Sequence, residues 1–368
     1  MTSTAVPAFV IAYSDSDFTN PHEMVLPNDP KECGPDDFTH MGKQYWGLET
    51  GRHVATTVQA DQNRFEYNHL AHNWITIGLK ERTAVEKINV STKWFTGNQV
   101  HAVSVFLKDE LTGQKTEVLT RVSLKPDAEH EFAIPATLAT ECHIEIYYEG
   151  GISRVNFFGE KAAEQMPVRP NLLEKATISH VSNDHYGNPG MAVKGSRVEM
   201  HMIGWESART GFGERALFTL DRPTMVEEIV VDTYLHRLNP PLACHIFGLT
   251  QAVSAGADIE SLMDQAPRWK IQFADGTSVI PADFQQYMLE QKYLQEAVTG
   301  QTDRTRFQIM LDIRDDSPWS AVVPFGSLSA DKWHRFIDFE SNGPFTHLLY
   351  THYPNGGIHG LKLFGTEK

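Results

Sequence analysis

A chain of 368 residues exceeds one average domain and suits two, each long enough to bury its own core. Its 41% hydrophobic and 21% charged residues exclude the disordered, collagen-like and membrane-spanning classes. A formal charge of −15 with no local concentration of Lys and Arg excludes nucleic acid as a partner, because a phosphate backbone would be repelled.

In chain order, the opening MTSTAVPAFVIAYSDSDF has an apolar stretch but no basic n-region or cleavage site, so it reads as a first strand. The final Gly365–Lys368 is not a peroxisomal tripeptide, and the expected address is cytoplasmic. Cys33, Cys142 and Cys244 are odd in number and widely spaced, which fits buried reduced thiols better than disulfides or a zinc site. Alternating apolar and polar residues predict strands over Val85–Phe95, Val100–Leu107, Cys142–Tyr148 and Ile152–Phe158. Pro167-Val-Arg-Pro170 has linker composition.

Beyond that linker the chain repeats itself. Ser14-Asp-Ser-Asp-Phe18-Thr-Asn20-Pro21 is echoed by Ser182-Asn-Asp-His-Tyr186-Gly-Asn188-Pro189, and Gly47-Leu48-Glu49-Thr50-Gly51-Arg52 by Gly204-Trp205-Glu206-Ser207-Ala208-Arg209. Val90-Ser91-Thr92 answers Val231-Asp232-Thr233, and Tyr148-Glu149-Gly150-Gly151-Ile152 answers Pro354-Asn355-Gly356-Gly357-Ile358. Four collinear blocks predict two copies of one fold, at 1–166 and 173–368. The second copy has an insertion at about 250–330, in which Asp283 caps a predicted helix that ends at Gly300. Strands of this kind, packed on two sides, make the class all-β with two tandem sandwiches and a short helical insertion in the second.

The repeated block sets Glu49 with Arg52 and Glu206 with Arg209. A carboxylate accepts N–H bonds from a ureido or guanidino group, and an arginine fork holds a carboxylate, so a small molecule bearing both groups is the expected partner. The bland alternative is a pair of surface salt bridges. His72 opens a β-like run and is a candidate proton donor. Gly150-Gly151 and Gly356-Gly357 read first as turns, with Arg154 just beyond the first of them. The histidine spacings form no metal set.

These blocks resemble the allantoicase family, whose copies carry Asp-Gly-Trp-Glu-Thr-Arg-Arg, Gly-His-Asp-Trp, Val-Asp-Thr-x-His-Phe-Lys-Gly-Asn and Tyr-Pro-Asp-Gly-Gly-Val-x-Arg. The resemblance implies jelly-roll-like sandwiches, a homo-oligomer, no organic cofactor, and conversion of allantoate to ureidoglycolate and urea. By position it implies catalytic roles for Glu49, His72 and Arg154. Binding roles fall to Arg52, Trp74, Trp94, Glu206 and Arg209. Leu48, Ser91 and Trp94 depart from the pattern in the first copy. In the second, the His-Asp-Trp block has become Gly213-Glu214-Arg215-Ala216, Leu235 and His236 replace His and Phe, and Gly360 replaces Arg, so most proton-transfer groups are expected to be lost there. Those departures keep two alternatives open. One is a lyase, isomerase or cyclase of specialised metabolism acting on a larger, more apolar metabolite; the other is a non-enzymatic small-molecule or sugar-binding module.

Overall fold

The computed structural model describes residues 4–16, 18–32, 34, 38–39, 42–43, 46–195, 197, 204–209, 213–250, 258–274, 276–279 and 307–368. It divides into two compact units, Met1–Val168 and Arg169–Lys368. Each is a β-sandwich organised on one 19-residue strand, Asn73–Ser91 in the first and Glu214–Asp232 in the second.

In the first unit the leading half of Asn73–Ser91 lies between Ala8–Tyr13 and the end of Glu129–Tyr147. Its trailing half lies between the start of Glu129–Tyr147 and Arg154–Lys161. Register shifts between Ala133 and Thr137, and between Ala139 and Glu141, bend the partner so that two long strands pass from one layer into the other. Ala102–Asp109 and Gln114–Ser123 extend the leading layer. Alternation along the strands points Ile75, Ile77, Val105 and Ile144 inward to meet Val90, Val155 and Phe157.

The second unit repeats this pairing with Thr177–Val181, Phe345–Tyr353, Gly360–Glu367, Ala243–Thr250 and Ser320–Ser327. Where the first unit has the single strand Glu129–Tyr147, the second has Trp333–Phe336 and Phe345–Tyr353. The break contains Gly343, at φ 105, and Pro344, which has no N–H for the ladder. The tandem sandwiches expected from the sequence are therefore present.

The insertion has a physical reason. Leu217, Phe247, Leu249 and Leu349 form a second apolar face on the outer side of the sheet, covered by Leu262, Met263, Ala266 and Trp319. Sheet register places Thr76, Phe106 and His143 at the corresponding positions of the first unit, where Thr76 Oγ1 lies 2.9 Å from His143 Nδ1. That face is polar enough to meet water and, among the described residues, has no inserted cover. The described part of the insertion holds the helix Ile259–Asp264 and a three-stranded sheet of Arg268–Phe273, Ser278–Val279 and Phe307–Asp312. The helix expected over Pro281–Gly300 lies outside the described residues. Among the described residues no helix is long and apolar enough to cross a membrane.

Two buried histidines make the second unit acid-sensitive. Burial lowers His245 to about 4 and His352 to about 3, against 6.5 for the free side chain. The unfolded chain thus takes up protons that the native state refuses, and stability falls as pH drops below 6.5. At pH 5 the deficit is 1.5 pH units for each, which at about 1.36 kcal/mol per unit gives about 2 kcal/mol per histidine. The second unit is expected to lose about 4 kcal/mol between pH 7 and pH 5, read as earlier loss of amide-exchange protection there than in the first unit.

Candidate functional site

Glu49 sits on the two-residue strand Leu48–Glu49, opposite Gly151 of Gly151–Ile152. Leu48 is sealed in the core, and this anchor turns the next side chain the other way. The Glu49 N–H donates to Thr19 Oγ1 (2.8 Å), and Asn98 Nδ2 donates to Glu49 Oε1 (2.7 Å). Glu49 Oε2 is buried without a hydrogen-bond partner. Burial, the largest influence, pushes this carboxyl above the usual range, while the Asn98 bond and the Arg52 charge pull it back.

The glycine pair is more than a turn. Gly150 adopts φ 126 and donates its N–H to Thr50 Oγ1 (2.9 Å), and a Cβ on Gly151 would come within 2.1 Å of the Phe95 ring. The Gly151 N–H donates to the Asn98 carbonyl (2.8 Å), so the turn also fixes the residue that grips Glu49. Gly151→Ala is expected to lower stability by about 1–3 kcal/mol, seen as a fall in Tm, because a methyl group must displace a packed aromatic ring.

The second copy repeats this frame with one exchange. Trp205–Glu206 lies between Tyr186–Gly187 and Gly357–Ile358, with Glu206 opposite Gly357. The His236 ring lies over Gly357 as Phe95 lies over Gly151. His236 Nδ1 is 3.3 Å from Asn239 Oδ1, and with the amide in this orientation Nδ1 is assigned the hydrogen and Nε2 the lone pair. His236 is 2% exposed, and its Nε2 has no partner. Burial lowers its pKa, with Asn239 and the Glu206 charge opposing. A pocket of about 170 Å³ opens here, lined by Tyr186, Met191, Trp205, Glu206 and His236 among others. From the sequence His236 was only a departure from a pattern; its position three residues before Asn239, as Phe95 stands before Asn98, is the signal that identifies it.

The remaining candidates fall into other groups. Arg52 and Arg209 are exposed, and the Arg209 carbonyl accepts from Asn355 Nδ2 (3.0 Å). His72 Nε2 lies 3.7 Å from Glu145 Oε1, and its ring is 5.8 Å from that of Tyr147. Trp74 stacks on His143 at 5.7 Å. Trp94 and Arg154 share one short segment. Trp94 Nε1 donates to the Pro30 carbonyl (3.1 Å), and Arg154 Nη1 donates to the Asn28 carbonyl (3.1 Å) and Asp29 Oδ1 (2.7 Å). The structure therefore brings Glu49 and Arg52 together with Asn98, and places His72 with Trp74 and Trp94 with Arg154 in two further clusters.

Loss of arginine at Gly360 is compensated from elsewhere in the chain. Arg154 pairs in register with Ser91, and Gly360 with Asp232. Arg197, in the segment corresponding to Asp29, holds Asp232 with both prongs of its fork, Nε to Oδ2 at 2.9 Å and Nη2 to Oδ1 at 2.6 Å. Among the described residues, no group of three or more His, Cys, Asp or Glu side chains is placed to hold a metal ion.

Two tandem sandwiches, each setting a glutamate on a short strand against a Gly-Gly turn, define a repeat protein with a carboxylate at the same place in both copies. The chain matches the Allantoicase repeat over residues 1–162 and 171–299. It belongs to the allantoicase family. Proteins called "Probable allantoicase" from Rhizobium meliloti (strain 1021) and Pseudomonas aeruginosa (strain UCBPP-PA14) are 24% and 25% identical to it, over 96% and 98% of this chain and 89% and 93% of theirs. The crystal structure of allantoicase from Saccharomyces cerevisiae is 19% identical, covers 99% of this chain and 94% of that one, and has a TM-score of 0.32.

Proposed function

We propose that the protein releases urea from allantoate or a closely related ureido acid, with the chemistry centred on Glu49 in the first copy. The reading is carried by one observation: a buried carboxylate with Oε1 held by Asn98 and Oε2 left without a partner. Such an oxygen is an acceptor waiting for an N–H donor, and a ureido group supplies several. The reaction adds water across one C–N bond. The water oxygen goes to the carbon, which becomes ureidoglycolate, and a proton goes to the departing urea nitrogen. A carboxyl of raised proton affinity is suited to carrying that proton. Arg52, whose charge reaches Glu49, takes the substrate carboxylate. His72 and Arg154 contact Glu145 and Asp29, and on this reading neither is assigned a role in the step.

A second reading, action on a larger and more apolar metabolite, draws on the second copy, where Tyr186 and Met191 give the pocket apolar walls. Leu48 lends it nothing, being a core residue. Urea release from allantoate by the purified protein decides between them. Release that saturates with substrate supports the first reading. A folded sample that releases no urea overturns it and directs the search to less polar compounds.

A further inference from the structure

We infer that the second copy carries its own ligand site, which takes a planar, N–H-rich group, ureido or guanidinium, between the Glu206 carboxylate and Nε2 of His236. This goes beyond the reaction proposed for the first copy and does not depend on it. Three observations carry it. His236 Nε2 is an acceptor on a side chain that is 2% exposed, has no partner, and lines the pocket. Asn239 Oδ1, beside Nδ1, assigns the hydrogen to that nitrogen, and the other nitrogen then offers a lone pair. Glu206 lines the same pocket, and its charge is felt at the imidazole.

Two acceptors in one small cavity call for a ligand edge with at least two hydrogens, and leaving a buried acceptor unpaired would otherwise cost about 1–3 kcal/mol. Among the described residues the lining holds no cationic side chain, so the ligand's own N–H groups must supply the donors. Tyr186, in register with Glu206, and Met191 give the cavity an aromatic and a soft wall against which a planar group can stack. At about 170 Å³ the pocket is smaller than the ~300–1,000 Å³ of sites for drug-sized ligands, so it fits the planar group alone or one end of a longer molecule. In the first copy the matching position is Phe95, which has no acceptor, so the exchange to His236 creates the site.

The test titrates the full-length Glu49→Gln protein, which silences the first-copy site, with methylurea and separately with methylguanidinium, following the His236 imidazole nitrogen resonances. Saturable shifts with methylurea alone identify a ureido ligand, and with methylguanidinium alone a cationic one; either supports the site. His236→Phe installs the ring that already packs on a glycine in the first copy, and is expected to weaken binding by about tenfold or more with little change in Tm. Glu206→Gln is expected to do the same and stands in if the phenylalanine variant misfolds. No response at His236 to either probe, or equal affinity in both variants, overturns the inference.

Discussion

Glu49→Gln is expected to leave the fold intact and to slow urea release by about 10²–10⁴-fold, the range for removing a positioned proton-transfer group. The glutamine keeps an oxygen for Asn98 but turns the unpartnered acceptor into an N–H donor that confronts the substrate's own donors. Stability should move the other way. A carboxyl whose pKa is raised by folding stabilises the native state only while protonated, and that contribution is lost as pH rises through the raised value. At neutral pH the charged Glu49 therefore opposes folding, and the neutral amide relieves it. Tm is expected to be unchanged or higher, as at sites where function is kept at the expense of stability. The check is kcat/KM for urea release beside Tm at pH 7. A parallel loss of both would make Glu49 a structural group that merely anchors the loop at Asn98.

Asp232→Ala is expected to destabilise the second unit by about 3–5 kcal/mol, the usual consequence of stranding one partner of a buried ion pair. The Arg197 and Asp232 side chains are 4% and 2% exposed and meet through two hydrogen bonds. Asp232 also accepts the Tyr234 N–H at 3.0 Å. With the carboxylate gone, the guanidinium keeps the charge of Asp331 and the rings of Tyr234 (5.1 Å) and Trp333 (5.6 Å), which hold it less well than a two-pronged carboxylate does. Replacing both partners by apolar residues, Arg197→Met with Asp232→Leu, should recover part of the loss, because the pair then vanishes while the buried Asp331, whose charge also reaches Arg197, stays behind. Denaturant unfolding of the three proteins makes the comparison. A deficit below about 1 kcal/mol for Asp232→Ala would mean that water reaches the pair, as at a surface bridge.

The sequence by itself determined the β class, the two copies, their equivalences, and the glutamate block and Gly-Gly block that each copy carries. These are local properties: alternation with period two, glycine at special backbone positions, and the recurrence of short blocks. Which side chains meet was decided only by tertiary structure. Asn98 reaches Glu49 across 49 positions of chain, and Arg197 reaches Asp232 across 35, and no short-range pattern encodes either meeting. His72, one of the group grounded in motif resemblance, faces Glu145, because the register of two long strands sets Trp74 opposite Glu145 and carries its neighbour along. Leu48, which looked like an altered site residue, points into the core because consecutive residues of a strand face opposite ways. The second copy, which seemed to have lost its proton-transfer groups, has His236 stacked over Gly357, where the absence of a Cβ leaves room for the ring. Motifs recorded which residues were kept; the packing of layers decided which of them share a site.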